Sequence, residues 1–296
     1  MFGRILISAV VLPLALSSCV TQRAVDVLTI PRRPDDAAHW EAETKLKPQR
    51  FEVVAKDGIK LSAYTLAPAP GVKPRGTAWL LHGLGNNKAQ MLPVAKKLSA
   101  AGFRCVAWDS RGHGDSEGKR ATYGTREVDD ALRVMKTARE MPGSVKGPEV
   151  VWAYSMGSAV ALQTLPEMPK AKAAVLLAPM SDLSGVMYHQ AHNVYSGALT
   201  PLVSVVRAKV RSTAGFDPKA IRPVDAVKRT NCKMLFIHGD RDGTIPPWQS
   251  QLLLDQCAPG QGQRILLPGV GHGGVMWDLP EKTGEQAIQF LLEKSR

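Results

Sequence analysis

Five short segments carry the side chains best suited to moving protons or attacking an electrophile. They are His82-Gly83-Leu84-Gly85-Asn86, Asp109-Ser110-Arg111-Gly112-His113-Gly114-Asp115-Ser116, Ala153-Tyr154-Ser155-Met156-Gly157, His238-Gly239-Asp240-Arg241-Asp242-Gly243 and Gly269-Val270-Gly271-His272-Gly273. The third is one residue away from G-x-S-x-G, the pattern of a strand-to-helix turn that exposes a serine hydroxyl at the top of a sheet. Alone it is weak. With Gly near ~7 % of residues, a chain of this length shows that pentapeptide by chance roughly one time in ten, and roughly one in three if any small residue is allowed first. Taken by itself, Ser155 reads as a helix N-cap. A serine hydroxyl is a poor nucleophile at neutral pH and needs an adjacent base, so the surrounding elements must decide the matter.

Those elements are legible from periodicity. Phe51 to Ala55 and Ile59 to Leu66 read as strands joined by a D-G turn at Lys56-Asp57-Gly58. Ala78 to Leu81, Phe103 to Trp108, Glu149 to Ala153, Lys172 to Ala178, Lys233 to Ile237 and Arg264 to Leu267 are further apolar strands. Between them lie helical patterns over Ala89 to Ala100, from Arg126, from Ser155, over Pro247 to Gln256 and over Glu281 to Glu293. An opening hairpin followed by repeated strand–helix units implies a mostly parallel sheet covered on both faces. In such sheets chemistry gathers at the carboxyl ends of the strands. All five segments named above fall at such ends.

With the segments so placed, the chain resembles an α/β-hydrolase of the esterase and lipase-like group, with its H-G-x-G loop, R-G-H-G-x-S loop and S-M-G elbow. The resemblance runs from about Phe51 to the C-terminus and keeps the order Ser, Asp, His. It implies a sheet of about eight strands flanked by helices, with Ser155 as nucleophile, His272 as base and Asp242 as the acid that orients it. Asp240 competes for the acid role, but the family spacing G-x-x-D-x-x-[hydrophobic]-P fits Gly239, Asp242, Ile245 and Pro246. The backbone N–H groups of Leu84 and Met156 would form an oxyanion hole. His82, His113 and His238 match loop histidines with structural roles, and Asp109 and Arg111 a structural network beside the site. Ala153, where Gly is usual, departs from the pattern.

The stretch between the sixth and seventh strands, about 181–230, is too long for a simple crossover. It carries Leu183, Val186 and Met187, then Thr200-Pro201 as a helix start before Leu202, Val205, Val206 and Val210. By the family's pattern this is a small helical cap, whose apolar faces suit an acyl chain better than a charged metabolite. The expected activity is hydrolysis of carboxylic esters through an acyl-enzyme, with no cofactor or metal. Acyl transfer or thioester hydrolysis by the same triad, and a non-catalytic membrane-anchored binding module, are the alternatives. His189 and His192 lie three apart without the glutamate of H-E-x-x-H, so they do not read as a zinc site.

The N-terminus points to export. Met1-Phe2-Gly3-Arg4 precedes an apolar run from Ile5 to Leu16, a secretory signal too short to span a bilayer. Leu16-Ser17-Ser18-Cys19 resembles the lipobox of bacterial lipoproteins, which would place acyl chains on Cys19, and Val20 after it hints at the outer membrane. Plain secretion with cleavage after Ser17 is the other reading. Residues 1–18 are thus expected to be a signal peptide, 19–48 a membrane tether and 49–296 the hydrolase domain. The net charge of +12 comes from dispersed Lys and Arg without a basic-aromatic motif, so nucleic acid is not an expected partner. Export also makes disulfides possible. Cys105 lies inside an apolar strand and reads as a buried thiol. Cys232 begins a strand and Cys257 ends the helix after it, so the two could meet at one edge, either bridged or as separate thiols.

Overall fold

The computed structural model describes residues 19–32, 34, 36–193 and 200–295. Eight strands form one sheet: β1 (Gln49–Val54), β2 (Lys60–Leu66), β3 (Gly76–Leu81), β4 (Phe103–Trp108), β5 (Glu149–Tyr154), β6 (Ala171–Leu177), β7 (Lys233–Gly239) and β8 (Gly262–Leu267). Their order across the sheet is β1-β2-β4-β3-β5-β6-β7-β8. Only the β1–β2 and β2–β4 pairings are antiparallel; the rest are parallel. β3, β4 and β5 are buried along their whole length, as strands covered on both faces must be.

Helix α1 covers residues 19–29 of the described chain and α2 is Ala37–Thr44. The helices that follow are α3 (Leu92–Ala100), α4 (Glu127–Glu140), α5 (Met156–Thr164), α6 (Leu183–Asn193), α7 (Val203–Ala214), α8 (Val224–Val227), α9 (Trp248–Asp255), α10 (Gly274–Trp277) and α11 (Glu281–Lys294). One face of the sheet packs a core around Trp79, Val151, Val160 and Phe236, largely against α4 and α5. The other packs Leu80, Phe103, Trp152 and Ile237 with residues of α3 and α11. The cap predicted between β6 and β7 is built from α6 and α7. Its second helix starts later than expected, because Thr200–Leu202 forms a 3₁₀ turn ahead of Val203.

Two expectations are sharpened by the structure. Residues 19–48, expected to be a membrane tether, are largely helical in their described part. α1 buries Thr21, Val25 and Thr29 on the domain, an i, i+4, i+8 stripe on one helix face, and Val25 joins a third core with Tyr123, Met156 and the cap. Full burial of a valine contributes about 1.5–3 kcal/mol. Hydrogen bonds add direction: Tyr123 Oη donates to Leu28 O at 2.8 Å, Ala121 N to Thr29 O at 2.8 Å, and Arg120 to Asp26 at 3.0 Å. α2 follows, with Trp40 stacked on Trp277 at 5.5 Å between ring centroids. The polar Gln22-Arg23 and Asp26 interrupt the run, which conceals the stripe to any reading that looks for continuous apolar segments.

The second concerns Cys232 and Cys257: of the two readings left open, the structure has them as separate thiols, as are Cys19 and Cys105. Both do lie on the same core face. Their sulfurs take different partners, however: Cys232 Sγ donates to Lys233 O and Cys257 Sγ to Leu253 O. Burial pushes the Cys232 thiol up to about 12 and that of Cys257 up to about 11, which keeps both protonated. The signal segment, 1–18, lies outside the described residues. Among the described residues no helix is long and apolar enough to cross a membrane.

Candidate active site

β5 is apolar to its end, and the chain turns there directly into α5. Ser155, between them, has φ 53° and ψ −119°, a left-handed conformation that costs an L-residue on the order of 1–3 kcal/mol. The turn is held from both sides. Ser155 N donates to Leu177 O at 2.9 Å, and Ser158 N to Ser155 O at 2.9 Å. Gly157 explains the tightness: a Cβ there would lie 2.5 Å from His82 O and 2.6 Å from Leu81 O, both fixed backbone atoms. Ala153 poses no such problem. It pairs in register with Leu81 and Leu176, and its methyl group is fully buried in the sheet core. The position two residues before the serine therefore accepts Ala, whereas the one two residues after it does not.

The loop after β8 brings His272 to this turn. Its Nε2 lies 2.9 Å from Ser155 Oγ and its Nδ1 2.7 Å from Asp242 Oδ2. The backbone supports the ring: Tyr154 Oη donates to His272 O at 3.2 Å, with the two rings 5.3 Å apart. Asp242, and not Asp240, is the carboxylate that faces the ring. Asp240 accepts instead from Gly269 N at 2.7 Å, which ties the β7 and β8 loops together. Asp242 is fully buried. Its Oδ1 accepts from Thr244 N at 2.9 Å and Ile245 N at 2.8 Å. Burial by itself would raise this carboxyl's pKa. Hydrogen bonds from His238 and His272, the His272 charge and the Ile245 N–H outweigh that and hold it well below the usual carboxylate range.

His238 was expected to be a structural loop residue and turns out to touch this relay. Its Nε2 is 3.2 Å from Asp242 Oδ2 and 2.9 Å from Ile245 O. Both facing atoms are acceptors, so Nε2 carries the proton, and the other ring nitrogen is buried without a partner. The H-G-D-R-D spacing held the signal: His and Asp four apart around a turn can fold back onto each other. His82 and His113 are buried in the loops beside the turn. His82 Nε2 accepts from Ser110 N at 3.0 Å, and its ring lies 4.9 Å from that of His113. Burial lowers His82 to about 4; burial, with His82 as a lesser cause, lowers His113 to about 3. Asp109 bonds Lys88 Nζ at 2.6 Å and the N–H groups of Lys88 and Asp115; Arg111 pairs with Asp130 and Asp57. This network fixes the loops on either side of the turn. His189, on α6, has its ring beside the Asn193 amide, and among the described residues no three potential ligands cluster around a metal position.

Ser155 and His272 open into a cavity of ≈ 740 Å³. Leu84 and Met156 line it beside the serine. The first turn of a helix leaves its N–H groups without intrahelical partners, so Met156, the first residue of α5, presents one there. The cap supplies Leu183, Val186, Met187 and Val206, while among the described residues no Asp or Glu lines the cavity. A hydroxyl hydrogen-bonded to an imidazole that is oriented by a buried carboxylate is an arrangement able to attack a carbonyl carbon.

Comparisons with known proteins agree with this architecture. The chain is 25 % identical to a monoacylglycerol lipase of Mycolicibacterium smegmatis, over 69 % of this chain and 83 % of that protein. It is 26 % identical to lysophosphatidylserine lipase ABHD12 of Xenopus tropicalis, over 61 % of this chain and 45 % of that protein. An esterase of Pyrococcus furiosus shares the fold with a TM-score of 0.72 at 20 % identity, covering 90 % of this chain and 99 % of that one. The family model described as serine aminopeptidase, S33 matches residues 72–222, just over half of the chain, and takes in the loops of His82 and Asp109, the Ser155 elbow and most of the cap. The chain belongs to that family of α/β-hydrolases.

Proposed function

We propose that the protein is a serine hydrolase that cleaves carboxylic esters bearing an apolar acyl group. Ser155 Oγ attacks the ester carbonyl as His272 Nε2 takes its proton, and Asp242 stabilises the imidazolium that forms. The N–H groups of Leu84 and Met156 receive the oxyanion; one such donor typically contributes about 3–4 kcal/mol to the transition state. The alkoxide then leaves with the proton held on His272, and water, activated by the same ring, releases the acid.

The observation that carries this reading is the Ser155–His272–Asp242 hydrogen-bonded chain opening into a largely apolar cavity. The lining also separates ester from aminopeptide substrates. An aminopeptidase must hold an α-ammonium group, and a buried charge needs a paired partner; among the described residues the cavity offers a cation no carboxylate. The relatives named as a monoacylglycerol lipase and a lysophosphatidylserine lipase point the same way. The protein is further read as anchored in a bacterial cell envelope through acyl chains on Cys19. That reading rests on Leu16-Ser17-Ser18-Cys19 behind an apolar run.

A fluorophosphonate probe and a series of p-nitrophenyl esters test the activity. The expected result is covalent labelling and ester turnover by the wild type, with both abolished in Ser155→Ala. A folded wild type that is neither labelled nor active on any ester would refute the proposal.

A further inference from the structure

The cavity beside Ser155 is not closed by the hydrolase domain and its cap alone. Val20, Thr21, Arg23, Ala24, Val27 and Leu28 of α1 line it as well. Val20, Ala24 and Leu28, with Val27, recur at i, i+4, i+7 and i+8 and so share one helix face. This face adjoins the 21/25/29 stripe that docks α1 on the domain. α1 thus has two jobs on neighbouring faces: one is buried against the core and the other looks into the cavity, across from Leu183 and Val206 of the cap.

We infer that α1, which precedes the hydrolase domain in sequence, is a wall of the acyl-binding cavity and sets the length of acyl chain the enzyme accepts. The inference rests on the ester-hydrolase reading above and names the substrate more narrowly as an ester whose acyl chain reaches α1. Three features support it. Apart from Thr21 and Arg23, the α1 residues that line the cavity are apolar, so they contribute to binding a methylene chain in proportion to the surface they remove from water. The helix is fixed by specific contacts: the Tyr123 Oη bond to Leu28 O, the Ala121 N bond to Thr29 O, and Val25 buried in the core it shares with the cap. Ala24, in the middle of the face, is the smallest of the cavity-lining apolar residues of α1, so a large side chain there takes up cavity volume.

The test compares kcat/KM of the full chain on p-nitrophenyl butyrate and p-nitrophenyl decanoate. Each methylene that loses its place costs about fourfold in kcat/KM. Ala24→Trp is expected to lower the decanoate-to-butyrate ratio of kcat/KM at least tenfold. Leu28→Ala, a milder change that keeps the backbone bond to Tyr123, is expected to raise the preference for chains longer than decanoate. Ratios within threefold of wild type in both variants would overturn the inference; displacement of α1 from the domain would also alter the ratio, so an unchanged value has no other meaning. Should no ester be turned over, the wall is read by binding. Decanoate displaces anilinonaphthalene sulfonate from the wild type, and Ala24→Trp should weaken that competition at least tenfold. Equal competition by the two proteins would overturn the inference independently of any failure of catalysis.

Discussion

Replacing Asp242 by Asn exposes the logic of the relay, because the structure dictates how the new amide must sit. Asp242 Oδ1 accepts from two buried backbone donors, Thr244 N and Ile245 N, while Oδ2 faces His272 Nδ1 and His238 Nε2. An asparagine has one acceptor end and one donor end. Turning its NH₂ toward the two backbone donors would leave both unpaired, at about 1–3 kcal/mol each and so about 2–6 kcal/mol together. The carbonyl therefore stays on Thr244 and Ile245, and the NH₂ faces His272. The imidazole must then accept at Nδ1, which moves its proton to Nε2, opposite the Ser155 hydroxyl. No base remains for the serine. A triad locked in the wrong tautomer loses about 10⁴-fold in kcat. We expect Asp242→Asn to fold, to lose kcat on p-nitrophenyl butyrate by about that factor, and to react with a fluorophosphonate correspondingly slowly. A folded variant with kcat within tenfold of wild type would refute the reasoning.

Three other outcomes follow from the same geometry. Gly157→Ala forces a Cβ against two backbone carbonyls; overpacking of this kind costs about 1–3 kcal/mol, and the displaced serine should cost about 10²-fold in kcat, whereas Ala153→Gly should leave kcat within threefold. Thermal melts and probe labelling of the two variants would check the contrast. Stability should fall as the solution is acidified from pH 7 to pH 5. The buried His82 and His113 have folded pKa values, about 4 and about 3, below their unfolded value, so the unfolded chain binds more protons in that window and each ring destabilises the fold by up to ~2 kcal/mol at pH 5. A urea-unfolding free energy that stays flat from pH 7 to pH 5 would contradict the burial of these rings. Cys19→Ala should release the protein from bacterial membranes into the soluble envelope fraction; unchanged membrane retention would contradict acylation at Cys19.

The sequence by itself determined the sheet and the positions of its reactive loops. Apolar runs such as Val150-Val151-Trp152 can only be central strands covered on both faces, and the polar residues that interrupt the pattern immediately after them must emerge at the strand ends. That is why Ser155, Asp242 and His272 could be named from local pattern, chain order and family resemblance, although 117 residues separate the serine from the histidine. It is also why Ala153 could be judged harmless only with coordinates: whether one methyl group fits depends on Leu81 and Leu176 in adjacent strands. Tertiary structure alone decided the contacts between segments that carry no mark of one another. His238 meets Asp242 because the turn after β7 folds back, and Lys88 is buried because Asp109 and Asp115 converge on its ammonium group. Cys232 and Cys257 share a core face without bonding, since side-chain direction, not topology, determines whether two sulfurs meet. α1 is the largest case. Its Gln22, Arg23 and Asp26 break up the apolar run, and only the surface it docks on, around Tyr123, Met156 and the cap, turns a stripe of Thr21, Val25 and Thr29 into an anchor and its neighbouring face into part of the cavity lining.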